Sequence, residues 1–237
     1  MVSKLNICVD GYVPGERFDP EILPSAVDLR RATHEELALA WRKQWEAGQE
    51  LRIQFLDGDD GLHERVKDYA RGWLDHANLL FQFGNYPDAE IRITFQGAAY
   101  QSLVGTDAMR APYPQPTMQL GGFTADSDDV ELGRTVLHEF GHAIGCVHEQ
   151  ASPAAEIPWN EAKVYEYYRQ WMGWDDETIY HNVLRRYSGT ETRFTEHDPG
   201  SIMQYPVPNE LTIGDFEIGW NTDLSDVDRS FIAKMYP

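Results

Sequence analysis

The sequence predicts an α+β fold built as one large domain, with strands and two long helices in the first half and an irregular, partly helical second half. Three observations carry this. Segments 50–56 and 90–95 alternate apolar and polar residues, the period of a half-buried strand. Segment 62–81 has apolar residues at helical spacing, and segment 126–144 has an acidic start and a glycine stop. Beyond residue 145 the chain turns richer in Trp, Tyr and Pro.

Taken in order, residues 1–45 contain Pro14, Pro20 and Pro24 and read as a turn-rich lead-in. A short helix is expected at 33–45, where Thr33 and Glu36 can form a capping box. The strand at 50–56 is followed by Asp57-Gly58-Asp59-Asp60-Gly61. This looks faintly like a calcium loop, but glycine stands at its fifth position where a ligand belongs, so it reads as a turn and helix cap. Val66, Tyr69, Ala70, Trp73, Ala77 and Leu80 then predict one long amphipathic helix over 62–81. Strands follow at 90–95, 102–105 and 117–120. Asp126, Asp128 and Asp129 suit a helix N-terminus, and that helix runs to about residue 144, where Gly145 stops it. Further helices are expected at 160–171, 176–187 and 226–235, the last capped by Ser225. Residues 198–215 are expected to be irregular.

Bulk properties narrow the partners. The 237 residues suffice for a real core. With 20 Lys and Arg against 39 Asp and Glu, the net charge is −19, which argues against nucleic acid or anionic membrane as partner. No run approaches the roughly 18 consecutive apolar residues of a membrane span. No secretory signal is visible behind Lys4, so the location is read as cytoplasmic, or outside by another route. The only cysteines are Cys8 and Cys146, which allow one disulfide and no Cys-x-x-Cys metal site. A monomer is expected.

The informative segment is His138-Glu139-Phe140-Gly141-His142-Ala143-Ile144-Gly145-Cys146-Val147-His148-Glu149. Histidines four apart project from one face of a helix and converge on one ion. Gly145 can take a left-handed conformation, so the helix ends abruptly and the chain returns His148 to the same ion. Three neutral imidazoles leave a fourth position open, the mark of a catalytic zinc site rather than a structural one. Glu139 follows the first ligand, so it stays clear of the metal and can act as general base. Single histidines are usually ordinary core or surface groups. The whole pattern has a chance occurrence on the order of one in ten thousand for a chain of this length.

This long motif resembles the metzincin clan of zinc metallopeptidases, and Glu149 directly after the third histidine is similar to the astacin family, in its microbial branch. Ser201-Ile202-Met203-Gln204-Tyr205 resembles the clan's Met-turn, whose Met203 would lie beneath the metal. The resemblance implies a twisted mixed sheet, two long helices above a cleft, a lower half built on that turn, and one zinc ion. It implies that Tyr205 helps to stabilise the oxyanion, and that a protein or peptide substrate lies extended along an edge strand, here Ser102, Leu103, Val104 and Gly105. Pro206-Val207-Pro208 would line the pocket for the residue after the scissile bond. The likeness covers about residues 46–237, divided near 145/146 into upper and lower halves. Two features depart from the family. Gln204 stands where many relatives have histidine, and two cysteines cannot form the two disulfides usual in animal astacins.

The lead-in offers Cys8 and Asp10 ahead of the catalytic domain, and metzincins commonly hold themselves latent by placing a pro-segment Cys or Asp on the zinc. Cys8 as a latency ligand, Cys8 as a free thiol, and a Cys8–Cys146 disulfide all stay open. So do two rivals to an active enzyme: a catalytically silent zinc-bearing peptide-binding protein of the same fold, and a structural zinc domain. Glu139 speaks against the first, and Gly145 with the open three-ligand site against the second. His34, His63, His76, His181 and His197 lack metal spacing, and Trp159, Trp171, Trp174 and Trp220 read as core.

Overall fold

The computed structural model describes residues 7–8, 43–186 and 196–237. Among the described residues five strands and five α-helices follow one another: β1 Glu50–Phe55, α1 Asp60–Ala70, β2 Leu80–Phe83, β3 Ile91–Thr94, β4 Tyr100–Ser102, β5 Met118–Leu120, α2 Asp129–Ala143, α3 Glu161–Met172, α4 Asp176–Ile179 and α5 Asp226–Met235. The strands form one sheet in the order β2-β1-β3-β5-β4. The first four pair in parallel, and β4 runs antiparallel to β5 at the edge.

Parallel pairing needs crossovers that cover the sheet, and α1 supplies the one between β1 and β2. Its N-cap is Asp59, whose side chain accepts from Leu62 N, so the acidic turn is a helix cap as expected. Asp57, in the same turn, accepts from Thr94 Oγ1 and Phe95 N and so clamps the end of β1 to β3. Leu51 and Ile53 of β1, Ile91 and Ile93 of β3, Val66 of α1 and Leu132, Val136 and Phe140 of α2 are buried in one core. Phe231 and Ile232 of α5 and Trp45 close the same core. A second, smaller apolar cluster lies between α3, α4 and the segment before residue 212.

Three expectations are corrected. The helix over 62–81 is three elements: α1 ends at Ala70, Arg71–Trp73 forms one tighter turn, and Leu80–Phe83 is strand β2. Trp73 and Ala77 are both buried, which carried the helical spacing past the real end. Leu80 is 56% exposed, and its backbone pairs with β1 from Glu50 onward, so the ladder prevails over the periodicity. The edge strand lies two residues earlier than 102–105. Tyr100, Gln101 and Ser102 pair with β5, Leu103 N adds one bond to Thr117 O, and Val104 caps a turn that begins at Gly105. Gly105 has φ +51°, which leaves the extended region. The helix over 176–187 is present but stops at Leu184: α4 passes without a break into a wider helical turn, Tyr180–Leu184, and Arg185 is extended. The helix expected at 33–45 falls outside the described residues but for its last three, of which Gln44 and Trp45 are not helical.

The remaining elements match their signals. Asn160 caps α3 through Lys163 N. Ser225 and Asp228 form a reciprocal capping box at α5.

Candidate metal centre

Helix α2 starts on Asp128, whose carboxylate accepts from Glu131 N, and from Leu132 to Ala143 nearly every side chain is buried. His138 and His142 therefore project one turn apart into the interior. The helix ends where predicted: Gly145 has φ +106°, and Gly145 N and Cys146 N donate to His142 O and Gly141 O. The reversed chain brings in His148.

The three imidazoles meet. His148 Nε2 is 3.1 Å from His142 Nε2 and 3.2 Å from His138 Nε2. Two tautomers are fixed from behind. His138 Nδ1 lies 2.7 Å from Ile202 O and His142 Nδ1 lies 2.9 Å from Cys146 O. A carbonyl only accepts, so each Nδ1 carries the proton and each Nε2 faces the centre with a lone pair. Burial, then the neighbouring His142 and His148, push His138 well below the usual imidazole range, which keeps it neutral. Converging lone pairs at this distance repel unless a cation lies among them. The donor set thus fits a divalent ion of the zinc type.

Cys8 comes to the same point. Its Sγ is 3.4 Å from His142 Nε2 and 3.2 Å from His148 Nε2. The four ligand atoms of Cys8, His138, His142 and His148 lie within 4.8 Å of one another. Cys8 and Cys146 are not joined to each other, so the disulfide alternative does not hold.

Below the centre runs the turn from Ser201 to Tyr205. Glu149 N donates to Met203 O, which fastens this turn to the residue after the third histidine. An added Cβ on Gly141 would lie 2.4 Å from Met203 Sδ and 3.0 Å from Trp73 Cζ2, so only glycine lets the methionine seat against the helix. Tyr205 is 2% exposed with its ring centroid 4.3 Å from that of His148. Its hydroxyl donates to Cys8 O at 2.5 Å. Glu139 is fully buried. With His138, Tyr205, Cys8 and Ile7 it lines an open cavity of about 350 Å³, solvent at the mouth included. The predicted Glu139, Tyr205, Met203 and three histidines are thus brought together. Ser102 to Gly105 are not among the residues lining the cavity, whereas Tyr100 of the true edge strand is.

Several residues escaped sequence reasoning. Asp228 is buried at the start of α5. It accepts from Ser201 Oγ at 2.7 Å, Ile202 N at 2.8 Å and Ser225 N at 2.9 Å. Ile202 is therefore held at its N–H by Asp228 while its carbonyl orients His138. The Ser225-x-x-Asp228 spacing signalled a helix cap but not this second duty. Arg134 and Trp220 form another wall of the cavity, with the guanidinium 3.8 Å from the ring centroid and paired to Glu131. Trp220, read as core, is 42% exposed. His197 Nε2 lies 2.9 Å from Gln204 Oε1, while Gln204 Nε2 donates to Tyr205 O. Glu149 accepts from Asp198 N, and burial pushes its carboxyl up to about 8.

No protein-family model matches the sequence, and no curated protein does. Solved structures do. A structure of myroilysin is 38% identical over 84% of this chain and 98% of its own, with a TM-score of 0.82. A crystal structure of myroilysin is 34% identical over 98% of this chain and 91% of its own, with a TM-score of 0.68. High choriolytic enzyme 1, a hatching enzyme zinc-protease from Oryzias latipes (medaka fish), is 16% identical over 82% of this chain and 94% of its own. Its TM-score of 0.57 bears on the fold alone.

Proposed function

Because this chain belongs to the astacin family of zinc metalloendopeptidases, we propose that His138, His142 and His148 hold its zinc ion, while Glu139 and Tyr205 carry the proton and oxyanion chemistry of peptide hydrolysis. The observation that carries the reading is the convergence of three buried imidazole nitrogens, two with their lone pairs fixed toward one point.

When bound, zinc supplies Lewis acidity, polarising a carbonyl and making water a stronger acid. The chain's own residues do the rest. Glu139, in the wall of the cavity beside His138, takes a proton from the attacking water and passes it to the departing amine nitrogen. Tyr205 offers its hydroxyl to the oxygen on which negative charge develops. Ile202 O and Cys146 O keep His138 and His142 oriented, so these two imidazoles need no reorientation during reaction. A protein or peptide substrate pairs in extended form with the outer edge of β4, at Tyr100–Ser102, which is the last strand of the sheet among the described residues.

Metal analysis and casein digestion test this together. Zinc-loaded protein should digest casein, and the His138→Ala protein should lose both metal and activity. Zinc binding without proteolysis would favour the silent peptide-binding alternative. Digestion unchanged by His138→Ala would sink the main reading.

A second reading concerns Cys8. Its sulfur stands at the fourth corner of the histidine cluster and its carbonyl engages Tyr205, which supports a latent form capped by the chain's own N-terminal segment. A thiolate is a stronger zinc ligand than water, so it would exclude the nucleophile. An equal specific activity of the Cys8→Ser and unmodified chains would remove this reading.

A further inference from the structure

The segment that enters the cleft carries information about what the cleft accepts. Ile7 is 6% exposed and belongs to an apolar cluster with Val164, Tyr167 and Tyr168 of α3, Leu211 and Tyr205. The next residue, Cys8, presents its backbone carbonyl to the Tyr205 hydroxyl. This is the hydroxyl assigned above to the oxygen of the scissile carbonyl. A main-chain carbonyl thus already occupies the tyrosine's donor, and the side chain beside it fills the recess.

We propose that the recess holding Ile7 is a substrate subsite, selecting a branched aliphatic side chain close to the scissile bond. This rests on the endopeptidase reading and adds a specificity to it. Tyr205 belongs both to the recess and to the catalytic wall, so a peptide that sets its carbonyl against Tyr205 sets a neighbouring side chain against α3. The recess buries aliphatic surface and cannot hydrate a charge. An acidic or basic side chain there loses its water against Val164, Leu211 and the faces of Tyr167 and Tyr168. Tyr167 and Tyr168 stand edge to face at 5.1 Å and give the recess a rigid back wall.

The test uses the full zinc-loaded chain carrying Cys8→Ser. A mixture of denatured proteins is digested, and the new termini are read by mass spectrometry. Ile, Val and Leu should be enriched about fivefold or more at one position within two residues of the scissile bond. Two synthetic peptides differing only by Ile→Asp at that position should differ about tenfold or more in kcat/KM. Leu211→Ala, which widens the recess, should move the preference toward Met and Phe. A variant that merely loosened the fold would slow all peptides alike. Cleavage without apolar enrichment on either side, or equal cutting of the paired peptides, overturns the subsite and leaves the endopeptidase reading intact. Absence of any cleavage overturns the endopeptidase reading itself.

Discussion

Replacing Asp228 by alanine should unseat the metal centre from a distance. The carboxylate receives two buried donors, the Ser201 hydroxyl and Ile202 N, and a partly buried one, Ser225 N. Asp228 is itself fully buried, and removing its side chain leaves the donors of Ser201 and Ile202 dry and that of Ser225 partly so. At about 1–3 kcal/mol for each stranded group, with partial relaxation, the loss should come to roughly 3–6 kcal/mol. The capping box of α5 disappears as well. Urea unfolding of the zinc-saturated protein should show the midpoint falling by about 1.5–3 M, for a slope of about 2 kcal/mol/M. Because Ile202 O orients His138, zinc affinity should drop about 10- to 100-fold in a competition titration with a chromophoric chelator. Asp228→Asn keeps one acceptor oxygen and the volume, so it should fall between the two. A midpoint shift below about 0.5 M with unchanged zinc affinity would refute the reasoning.

Other expectations follow from the same geometry. In the Cys8→Ser background, Glu139→Gln should lower kcat about 10²- to 10⁴-fold with zinc content unchanged by metal analysis; loss of metal instead would recast Glu139 as a ligand support. Tyr205→Phe in that background should lower kcat about 10²-fold with little change in KM, and equal effects on both would count against an oxyanion role. Cys8→Ser alone should raise casein digestion about tenfold or more over the unmodified chain, measured at equal zinc occupancy. Stripping the metal with a chelator should lower Tm by on the order of 10 °C, since the converging lone pairs lose their cation; an unchanged Tm would mean that the site is empty in solution.

The site was more legible in the sequence than the fold around it. Helix α2 announces itself at both ends, by Asp128 and Gly145, and the histidine spacing follows from its pitch. Strands β1 and β3 were visible because alternation survives inside a covered sheet. Strand β2 was not, since buried Trp73 and Ala77 mimic a helical stripe through the turn that precedes it. The same limit hid Asp228 and Arg134. What each does depends on partners 26 or 27 and some 86 positions away, Ile202 and Ser201 for one and Trp220 for the other. No local pattern encodes such distances. Cys8 stood between: its chemistry was legible, its arrival beside His148 was not.

The brevity of β4 has a consequence for what this enzyme can cut. An edge of three paired residues, closed off by the turn that begins at Gly105, offers only a short run of backbone to an incoming chain. A bond inside a helix or a paired strand already has its amides engaged, and releasing them costs the local opening free energy of that protein. With substrate paired to this edge as proposed, the enzyme would read the fluctuation of its target as well as its residues. In a mixture of intact globular proteins, scission should begin at frayed ends and loose surface loops, and the rate for any one bond should follow how often that segment melts.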